Sequence, residues 1–359
     1  MTTTAYDAER AEAFAGRMLD ALNGAAVAIM VSVGHRTGLF DALADAGEVT
    51  SEELGSASGL DERYVREWLA ALTTGRVVEY DPDTGCYRLP AEHAAWLTRA
   101  ASPDNLAVTA QFIPLLAAVE DDVVACFREG GGVPYERYGR FHEVMAEDSG
   151  QTVLSVLFSH ILPLVPGAEE RLEQGASLVD LGCGRGRALL VLGERFPNSR
   201  FVGYDLSREA IEFGRAQAAE RGLGNVELHV RDLSTFDEEA EPEAFDFATT
   251  FDAVHDQARP LALLRGIRRT LKPGGFYLMQ DIAGSSLLHE NMDHLAGPLM
   301  YTFSMMHCMT VSLAQGGEGL GTMWGEQKAR ELLTEAGFGE VDLHQLEHDP
   351  FNAYYVVRQ

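Results

Sequence analysis

Residues 179–186 have the sequence Val179-Asp180-Leu181-Gly182-Cys183-Gly184-Arg185-Gly186. An apolar strand passes here into a glycine-rich turn, and a helix follows. Glycines at such a turn let the backbone bend tightly and approach a ligand without a Cβ clash. The spacing is GxGxG, whereas a dinucleotide-binding GxGxxG motif would need a third glycine at position 187, where Arg187 stands. The stretch therefore indicates a ligand site at the end of a strand, distinct from the NAD fingerprint.

Short strands alternate with helices from residue 176 to the end of the chain. The pattern predicts strands at 177–181, 200–204, 226–230, 245–251, 276–282, 341–346 and 353–357, with helices at 188–196, 207–221, 259–271 and 326–336. Such alternation is typical of a doubly wound, mostly parallel sheet. Ligands on these sheets bind beyond the carboxyl ends of the strands.

Three further features follow the glycine loop in order. Asp205 ends the second strand, where a carboxylate can accept hydrogen bonds from two ribose hydroxyls. Asp232 follows the third strand and is placed to meet an adenine amine. The turn Leu271-Lys272-Pro273-Gly274-Gly275 precedes the fifth strand.

With these four motifs, residues 175–359 resemble the class I S-adenosylmethionine (SAM)-dependent methyltransferases. The resemblance implies an α/β, Rossmann-like domain with a seven-stranded sheet whose last strand is antiparallel. It also implies SAM as cofactor, S-adenosylhomocysteine (SAH) as product, and SAM lying over the three glycines. The cofactor contacts implied are Asp180, Gly182, Cys183, Gly184, Gly186, Asp205, Leu206, Asp232, Leu233 and Phe251.

The first 100 residues have the pattern of an α-rich winged-helix domain. Thr50 and Glu53 form a capping box at the start of one helix, and a second amphipathic helix begins at Asp61. Two short strands around the turn at 81–85 complete a helix-turn-helix plus hairpin. We expect a winged-helix dimerisation domain at 1–100, a helical linker contributing to the active site at 101–170, and the SAM-binding domain at 171–359.

The whole chain resembles a narrower group, the small-molecule O-methyltransferases of the caffeic-acid and bacterial natural-product type. The matches are the winged helix, the stretch Phe141-His142-Glu143-Val144-Met145, and Phe251-Asp252-Ala253-Val254-His255-Asp256 after the fourth strand. A His-Asp pair at that place supplies the catalytic histidine in the plant enzymes, which implies catalytic roles for His255 and Asp256. Gln257 and Ala258 replace the Trp-Ser that usually follows, so the substrate is expected to differ.

His255 also has an independent physical case as a general base. It follows a strand on the ligand side of the sheet, and its ordinary pKa suits proton removal from a hydroxyl acceptor at neutral pH. Neighbouring residues on a helix do not face each other, so the carboxylate that orients His255 is expected from elsewhere. Glu290, Glu318 and Glu326 are candidates. The competing interpretation is that His255 only caps a helix or touches the cofactor.

The long segment 284–325 is a candidate lid over the acceptor. It holds six of the eleven methionines together with aromatic residues, and methionine adapts to varied apolar partners. The expected substrate contacts are Phe141, Met145, Tyr301, Met305 and Trp324, for an aromatic or apolar acceptor. The alternative is that the segment forms lid core or a dimer contact.

Charge and cysteine content limit the partners. The net charge of −27 disfavours nucleic acid and anionic membranes, and no apolar run reaches the roughly 18 residues of a membrane span. The four cysteines have neither zinc-site nor disulfide spacing, so we expect no metal, reduced thiols and a cytoplasmic protein. We expect a small-molecule acceptor and a homodimer.

Two alternatives remain open at this point. The same fold supports N-, C- or S-methyltransferases and SAM-dependent enzymes that do not methylate. A SAM-sensing winged-helix regulator that binds DNA is the second alternative. Its candidate recognition helix carries only Arg63 and Arg66 as basic residues, which disfavours it.

Overall fold

The computed structural model describes residues 6–359. Residues 1–5, which belong to the predicted winged-helix domain, lie outside the described residues. The chain divides into two compact units between residues 115 and 116. Residues 101–115 of the predicted linker therefore group with the N-terminal unit, and the rest of the linker groups with the sheet domain.

The N-terminal unit is mainly helical and ends in a winged-helix arrangement. Its helices are Ala8–Thr37 (α1), Leu39–Ala46 (α2), Ser51–Ser58 (α3), Glu62–Thr74 (α4), Ala91–Leu97 (α5) and Leu106–Ala110 (α6), and Phe112–Ala117 (α7) crosses the division. The antiparallel strands Glu79–Asp81 (β1) and Cys86–Arg88 (β2) form the hairpin. The predicted order of helix, turn, helix and hairpin is confirmed.

Local capping explains where α3 and α4 begin. Thr50 and Glu53 make the predicted capping box, in which each side chain accepts a hydrogen bond from the other residue's backbone N–H. Asp61 caps α4 through the backbone N–H of Arg63. Both helix starts are thus determined by residues visible in the sequence.

Gly34 lies inside α1 and does not interrupt the helix. The helix continues through Gly34 and ends at Gly38, whose φ is 75°. A Cβ on Gly34 would lie 2.6 Å from the Trp68 ring and 2.7 Å from the Phe40 ring. Those two rings meet edge to face with centroids 5.2 Å apart, so Gly34 serves close packing in the core of this unit.

One face of α1 carries large apolar side chains that are exposed to solvent. They are Phe14, Met18, Leu19, Leu22, Ile29 and Val33. By length and mean hydropathy α1 is the one described helix that could cross a membrane, and 22% of the apolar window is buried. The sequence analysis missed this stretch because single charged residues interrupt it.

The second unit contains helices Glu120–Glu129 (α8), Phe141–Thr152 (α9) and Ala168–Gln174 (α10) before its sheet. Its strands are Ser177–Leu181 (β3), Arg200–Asp205 (β4), Val226–Val230 (β5), Phe245–Phe251 (β6), Leu271–Ile282 (β7), Val341–Leu346 (β8) and Asp349–Arg358 (β9). The helices between them are Arg187–Arg195 (α11), Arg208–Glu220 (α12), Phe236–Glu239 (α13), Pro260–Thr270 (α14), Gly297–Phe303 (α15), Met309–Ala314 (α16) and Gly325–Glu335 (α17).

The seven strands β3 to β9 form one sheet in the order β5-β4-β3-β6-β7-β9-β8. Neighbouring strands from β5 to β7 are parallel, and β9 is antiparallel to both β7 and β8. The expected seven-stranded sheet with an antiparallel last strand is confirmed. Two apolar clusters cover the sheet, one with side chains of α14 and α17 and the other with side chains of α11 and α12.

Segment 284–325 is largely helical. It contains α15, α16 and a π-helical turn at Ser304–Cys308 between them. Met306, His307 and Cys308 of that turn are buried. This turn is therefore packed into the unit, whereas Leu288, Met292 and Leu295 earlier in the segment are exposed.

Candidate active site

A cavity of about 720 Å³ opens at the carboxyl ends of β3, β4, β5 and β6. It is lined by the loops that follow these four strands, by residues 135–154, which include α9, and by Gln315 at the end of α16. All of these residues belong to the second unit. The position is the one expected for a ligand site on a doubly wound sheet.

The glycine loop forms the floor of the cavity where β3 ends. Gly182 has φ +75°, and a Cβ there would lie 2.5 Å from the Cβ of Ala253. Its backbone N–H donates to the Tyr204 carbonyl on β4, at 2.8 Å. The loop is therefore held against two neighbouring strands with backbone exposed to the cavity.

Asp205 and Asp232 lie on the same side of this loop. Asp205 accepts hydrogen bonds from the backbone N–H of Gly184 at 2.8 Å and of Ser207 at 2.7 Å. Asp232 accepts one from the backbone N–H of Ser234 at 2.8 Å. Both carboxylates are thus oriented before any ligand binds, as the binding of ribose and adenine requires.

Nine of the ten predicted cofactor contacts line the cavity. The exception is Gly186, which instead packs against Leu228: a Cβ at this position would lie 2.9 Å from the Leu228 side chain. Gly186 allows the loop to meet β5 and start α11. Its role is structural in this arrangement.

Asp180 at the end of β3 is a buried carboxyl group on the cavity wall. Its Oδ1 accepts a hydrogen bond from Thr249 Oγ1 at 2.7 Å. Burial raises the pKa of Asp180 to about 7. The group is therefore suited to partner a cation or a hydrogen-bond donor of a bound ligand.

His255 is buried behind the cavity wall and is absent from its lining. Its Nδ1 lies 2.6 Å from Asp281 Oδ1, and its Nε2 lies 3.3 Å from Asp256 Oδ1. Asp256 does line the cavity. A chain of side chains therefore runs from the cavity through Asp256 and His255 to Asp281.

Asp281 is the carboxylate that orients His255, so the candidates Glu290, Glu318 and Glu326 were wrong. Asp281 Oδ1 also accepts a hydrogen bond from Trp324 Nε1 at 2.9 Å. Glu326 instead pairs with Arg330, and Glu290 accepts a hydrogen bond from Gln327. Burial lowers the pKa of His255, but Asp281, Cys308 and Asp256 together outweigh burial and hold that pKa well above its usual value.

Tyr135 adds a second contact to Asp256 from the other side of the cavity. Its hydroxyl donates to Asp256 Oδ2 at 3.0 Å, and both residues line the cavity. Burial raises the pKa of Tyr135 well above its usual value, so the hydroxyl remains a donor. Asp256 thus has one oxygen towards His255 and one towards Tyr135.

Two of the five predicted substrate contacts line the cavity, namely Phe141 and Met145 of α9. Trp324 is buried beside Asp281, the Tyr301 hydroxyl accepts a hydrogen bond from Asn291, and Met305 belongs to the π-helical turn. These three residues are corrected to structural positions outside the lining. The reason is that the part of segment 284–325 that contains Tyr301 and Met305 forms helical structure and does not cover the cavity as an open loop.

The buried turn nevertheless supports the end of the cavity that α9 forms. His307 stacks on Phe141 with ring centroids 3.7 Å apart and an interplanar angle of 12°. Burial lowers the pKa of His307 to about 4, so the ring is neutral and takes part in aromatic stacking. The segment therefore fixes the ring of Phe141 from behind.

The sequence analysis expected no metal site, but three ligand-type groups come together here. His255, Asp256 and Cys308 place one possible ligand atom each within 4.8 Å of one another. The contacts present around His255 are those of a hydrogen-bonded chain, since each ring nitrogen faces a carboxylate. The spacing along the sequence concealed this group because Cys308 lies on the π-helical turn.

Sequence reasoning missed Asp281, Tyr135 and Arg187 as residues of the site. Asp281 had a usable signal: it is the last residue but one of β7, the strand beside β6, whose last residue Phe251 pairs with Gln280. Tyr135 stands in an irregular stretch before α9 and had none. Arg187, the first residue of α11, also lines the cavity.

Two family models match the chain. Residues 25–99 match an Rv2258c-like winged HTH domain, and residues 172–337 match a methyltransferase domain. Solved structures with the same fold include human N-acetylserotonin methyltransferase in complex with SAM, with a TM-score of 0.69 and 18% identity, covering 100% of this chain and 99% of that one. Mitomycin 7-O-methyltransferase MmcR has a TM-score of 0.69 and 20% identity, covering 98% and 100%.

Curated relatives are also methyltransferases. The cypemycin N-terminal methyltransferase of Streptomyces sp is 39% identical over 105 residues, which is 28% of this chain and 40% of that protein. Methyltransferase ungE' of Aspergillus campestris is 25% identical over 272 residues, or 74% of this chain and 75% of that protein. The chain thus spans less than half of the first relative and three quarters of the second.

The chain therefore combines a segment that matches a winged HTH domain with a segment that matches a methyltransferase domain. The methyl donor of this class is SAM. The cavity of this chain fits SAM, because Gly182 leaves room for a ligand and Asp205 and Asp232 present fixed carboxylates.

Proposed function

We propose that the protein transfers the methyl group of SAM to an oxygen atom of a small aromatic or apolar molecule, with His255 as the general base. The observation that carries this proposal is the continuity of the cavity. One volume reaches from Asp205 and Asp232 to Phe141, Met145 and Asp256. Donor and acceptor would therefore share one space, as in-line methyl transfer requires.

In the step itself, the acceptor oxygen forms a bond to the methyl carbon while the bond between that carbon and sulfur breaks. The sulfur leaves with the bonding electrons as the thioether of SAH, and the acceptor gives up its hydroxyl proton. SAM supplies the methyl group and the positive charge that makes sulfur a good leaving group. The protein's own residues align the acceptor and accept the proton.

The route for that proton is the chain from Asp256 to His255. The acceptor hydroxyl would hydrogen-bond to the Asp256 carboxylate in the cavity, and the proton would end on His255 Nε2, 3.3 Å from Asp256 Oδ1. Asp281 at 2.6 Å from Nδ1 fixes the orientation of the ring and stabilises its protonated form. The raised pKa of His255 means that this base must first lose its own proton, so turnover should rise with pH.

N-methylation is the second candidate, and one observation favours it. The 39% identical relative is described as an N-terminal methyltransferase. An amine acceptor would pair with the Asp256 carboxylate as an ammonium ion and would need to be deprotonated before attack. In that case the same chain of side chains would serve the proton of an amine.

The winged-helix domain is proposed to serve dimerisation and not DNA binding. Arg63 pairs with Glu67 at 2.5 Å and Arg66 pairs with Glu62 at 3.3 Å on the surface of α4. These two basic side chains are thus balanced within the helix. The exposed apolar face of α1 is proposed to contact a second copy of the chain.

Sedimentation tests the dimer with the Leu22→Glu variant, which places a charge on the exposed apolar face of α1. The wild type is expected to sediment as a dimer at micromolar concentration and the variant as a monomer. Arg17→Glu is the control, since it changes charge on the same helix without removing an apolar side chain. A monomeric wild type would refute the dimer, and flotation with vesicles would assign the face to a membrane.

Methyl-labelled SAM with a panel of phenols, alcohols, amines and thiols tests the proposed reaction. We expect labelled methyl ethers, identified by product mass. Label found only on nitrogen would support the second candidate, and label found only on sulfur would remove both.

A further inference from the structure

Arg187 is a cation in the cavity wall that sequence reasoning noted only as a departure from a glycine motif. It is the first residue of α11 and directly follows the glycine loop. Its side chain lines the cavity and extends to α9, where its guanidinium donates a hydrogen bond to the Ala146 carbonyl. The glycine loop and the acceptor-side helix thus meet at this side chain.

The pairing of Arg187 differs from that of the other arginines in the lining. Arg140, Arg185, Arg208 and Arg231 are each within 4.0 Å of a glutamate, namely Glu143, Glu209, Glu212 and Glu239. No such ion pair of Arg187 occurs within residues 6–359, where its partner is the Ala146 carbonyl. A guanidinium stays charged in proteins, and a partly buried charge is stabilised by an anionic partner.

The surroundings of Arg187 favour the binding of an anion next to its guanidinium. Burial and the nearby positive charge of Arg221 lower its pKa, and Glu147 compensates only in part. The N-terminus of α11, nine residues long, points its free backbone N–H groups towards the same place. Both effects add to the attraction of a carboxylate.

The order of the strands indicates which part of SAM lies there. Along the sheet edge, Asp232 follows β5, Asp205 ends β4, the glycine loop follows β3, and Asp256 follows β6. If Asp232 meets adenine and Asp205 meets ribose, the methionine end of SAM lies at β3, next to Arg187. Adjacent strands are about 4.8 Å apart, so two strand spacings match the distance between the adenine and methionine ends.

We infer that the Arg187 guanidinium binds the α-carboxylate of SAM and thereby orients the methionine end of the cofactor. The contact is a charge-assisted, bidentate pairing for which arginine is suited. It also connects cofactor binding to α9, because Arg187 remains hydrogen-bonded to Ala146 of the helix that carries Phe141 and Met145. The inference rests on SAM as the methyl donor.

The test compares the affinities of SAM and decarboxylated SAM, which differ only in this carboxylate. Isothermal titration calorimetry is carried out on the wild type, Arg187→Gln, Arg187→Lys and Arg208→Ala. Glutamine keeps a donor for the Ala146 carbonyl, so the variant is expected to fold. Arg208 is a matched control because it begins α12 as Arg187 begins α11, and also lines the cavity.

The wild type is expected to prefer SAM over decarboxylated SAM by about tenfold or more. Arg187→Gln should bind the two ligands equally, Arg187→Lys should keep part of the preference, and Arg208→Ala should keep all of it. A preference that survives in Arg187→Gln, or one that is absent from the wild type, would overturn the inference. A wild type that binds neither ligand would instead overturn the proposed function.

Discussion

The two ends of the cavity are built from different kinds of structure. The SAM end consists of short loops that leave β3, β4 and β5, with backbone groups that hold Asp205 and Asp232 in place. The acceptor end consists of α9 and of residues after β6, and buried side chains such as His307 support it from behind. The first end depends on strand topology, and the second depends on how helices from distant parts of the sequence pack.

The difference shows that, in this fold, the position of a loop along the sheet determines which part of a ligand its residues can reach. Loops of two to five residues at parallel strand ends can point in few directions, so their residues reach the ligand in the order of the strands. Helices that cross the cavity can rotate or shift by a residue. Their cavity-facing side chains are therefore determined by packing.

The largest expected effect is on the SAM end, through Gly182→Ala. A Cβ at Gly182 would meet Ala253 at 2.5 Å in a backbone conformation with φ +75°. SAM affinity should fall by about 100-fold or more. Titration calorimetry with SAH measures this loss.

Gly139→Ala is the matched control for Gly182→Ala. Gly139 also lines the cavity, but a Cβ there would meet nothing within 4 Å. SAH should bind this variant as it binds the wild type. If Gly182→Ala also bound SAH normally, the glycine loop would lose its assigned role.

The next effect concerns Asp281→Asn, which removes the carboxylate at His255. Turnover should fall by about 100-fold, a typical contribution of general-base catalysis, while SAM affinity stays unchanged. Because Asp281 raises the pKa of His255, the rise of turnover with pH should move to lower pH in the variant. A pH–rate profile measures both changes.

Glu326→Gln separates this assignment from the sequence-based one. Glu326 pairs with Arg330 on α17 and should leave the pH–rate profile unchanged. A shifted profile in Glu326→Gln with an unchanged one in Asp281→Asn would assign the orienting carboxylate to Glu326, one of the three candidates from the sequence.

A smaller effect distinguishes the two groups of predicted substrate contacts. Met145→Ala should raise KM for the acceptor by about tenfold, since Met145 lines the cavity and loses apolar contact area. Met305→Ala should leave KM unchanged because Met305 lies on the π-helical turn, outside the cavity lining. Equal changes in both variants would show that segment 284–325 reaches the acceptor after all.

These cases also show how far the sequence predicts the molecule. The seven-stranded sheet with its antiparallel last strand followed from the resemblance that the glycine loop and the strand ends support, and nine of the expected cofactor contacts line the cavity. Trp324 and Tyr301 could not be placed, because an apolar residue in a long segment is equally compatible with a cavity and with a packed helix. Asp281 could have been predicted, since it lies one residue before the end of β7, the strand next to β6.

The smallest effect is a pH-dependent change in stability for Asp180→Asn. The pKa of Asp180 is raised from 3.8 to about 7, so the folded state binds a proton that the unfolded state releases. Stability of the protein without ligand should therefore fall as pH rises from 4 to 7, and the cost is complete above that range.

The Asp180→Asn variant avoids this cost because it has no charge to bury. Its Tm should exceed that of the wild type by a few degrees, about 2–4 °C, at high pH, and the gap should close as pH falls towards 4. Thermal melts over this pH range check the trend. A gap that grows at low pH would contradict the assigned direction.

The most direct test of the account is His255→Ala on the hydroxyl acceptor that the labelling panel identifies. Single-turnover rates and SAM affinity are measured for the variant beside the wild type. The single-turnover rate of the His255→Ala variant is expected to be about 100-fold lower than that of the wild type, with SAM affinity unchanged. Turnover near that of the wild type would contradict it, since proton removal from the acceptor would then not need His255.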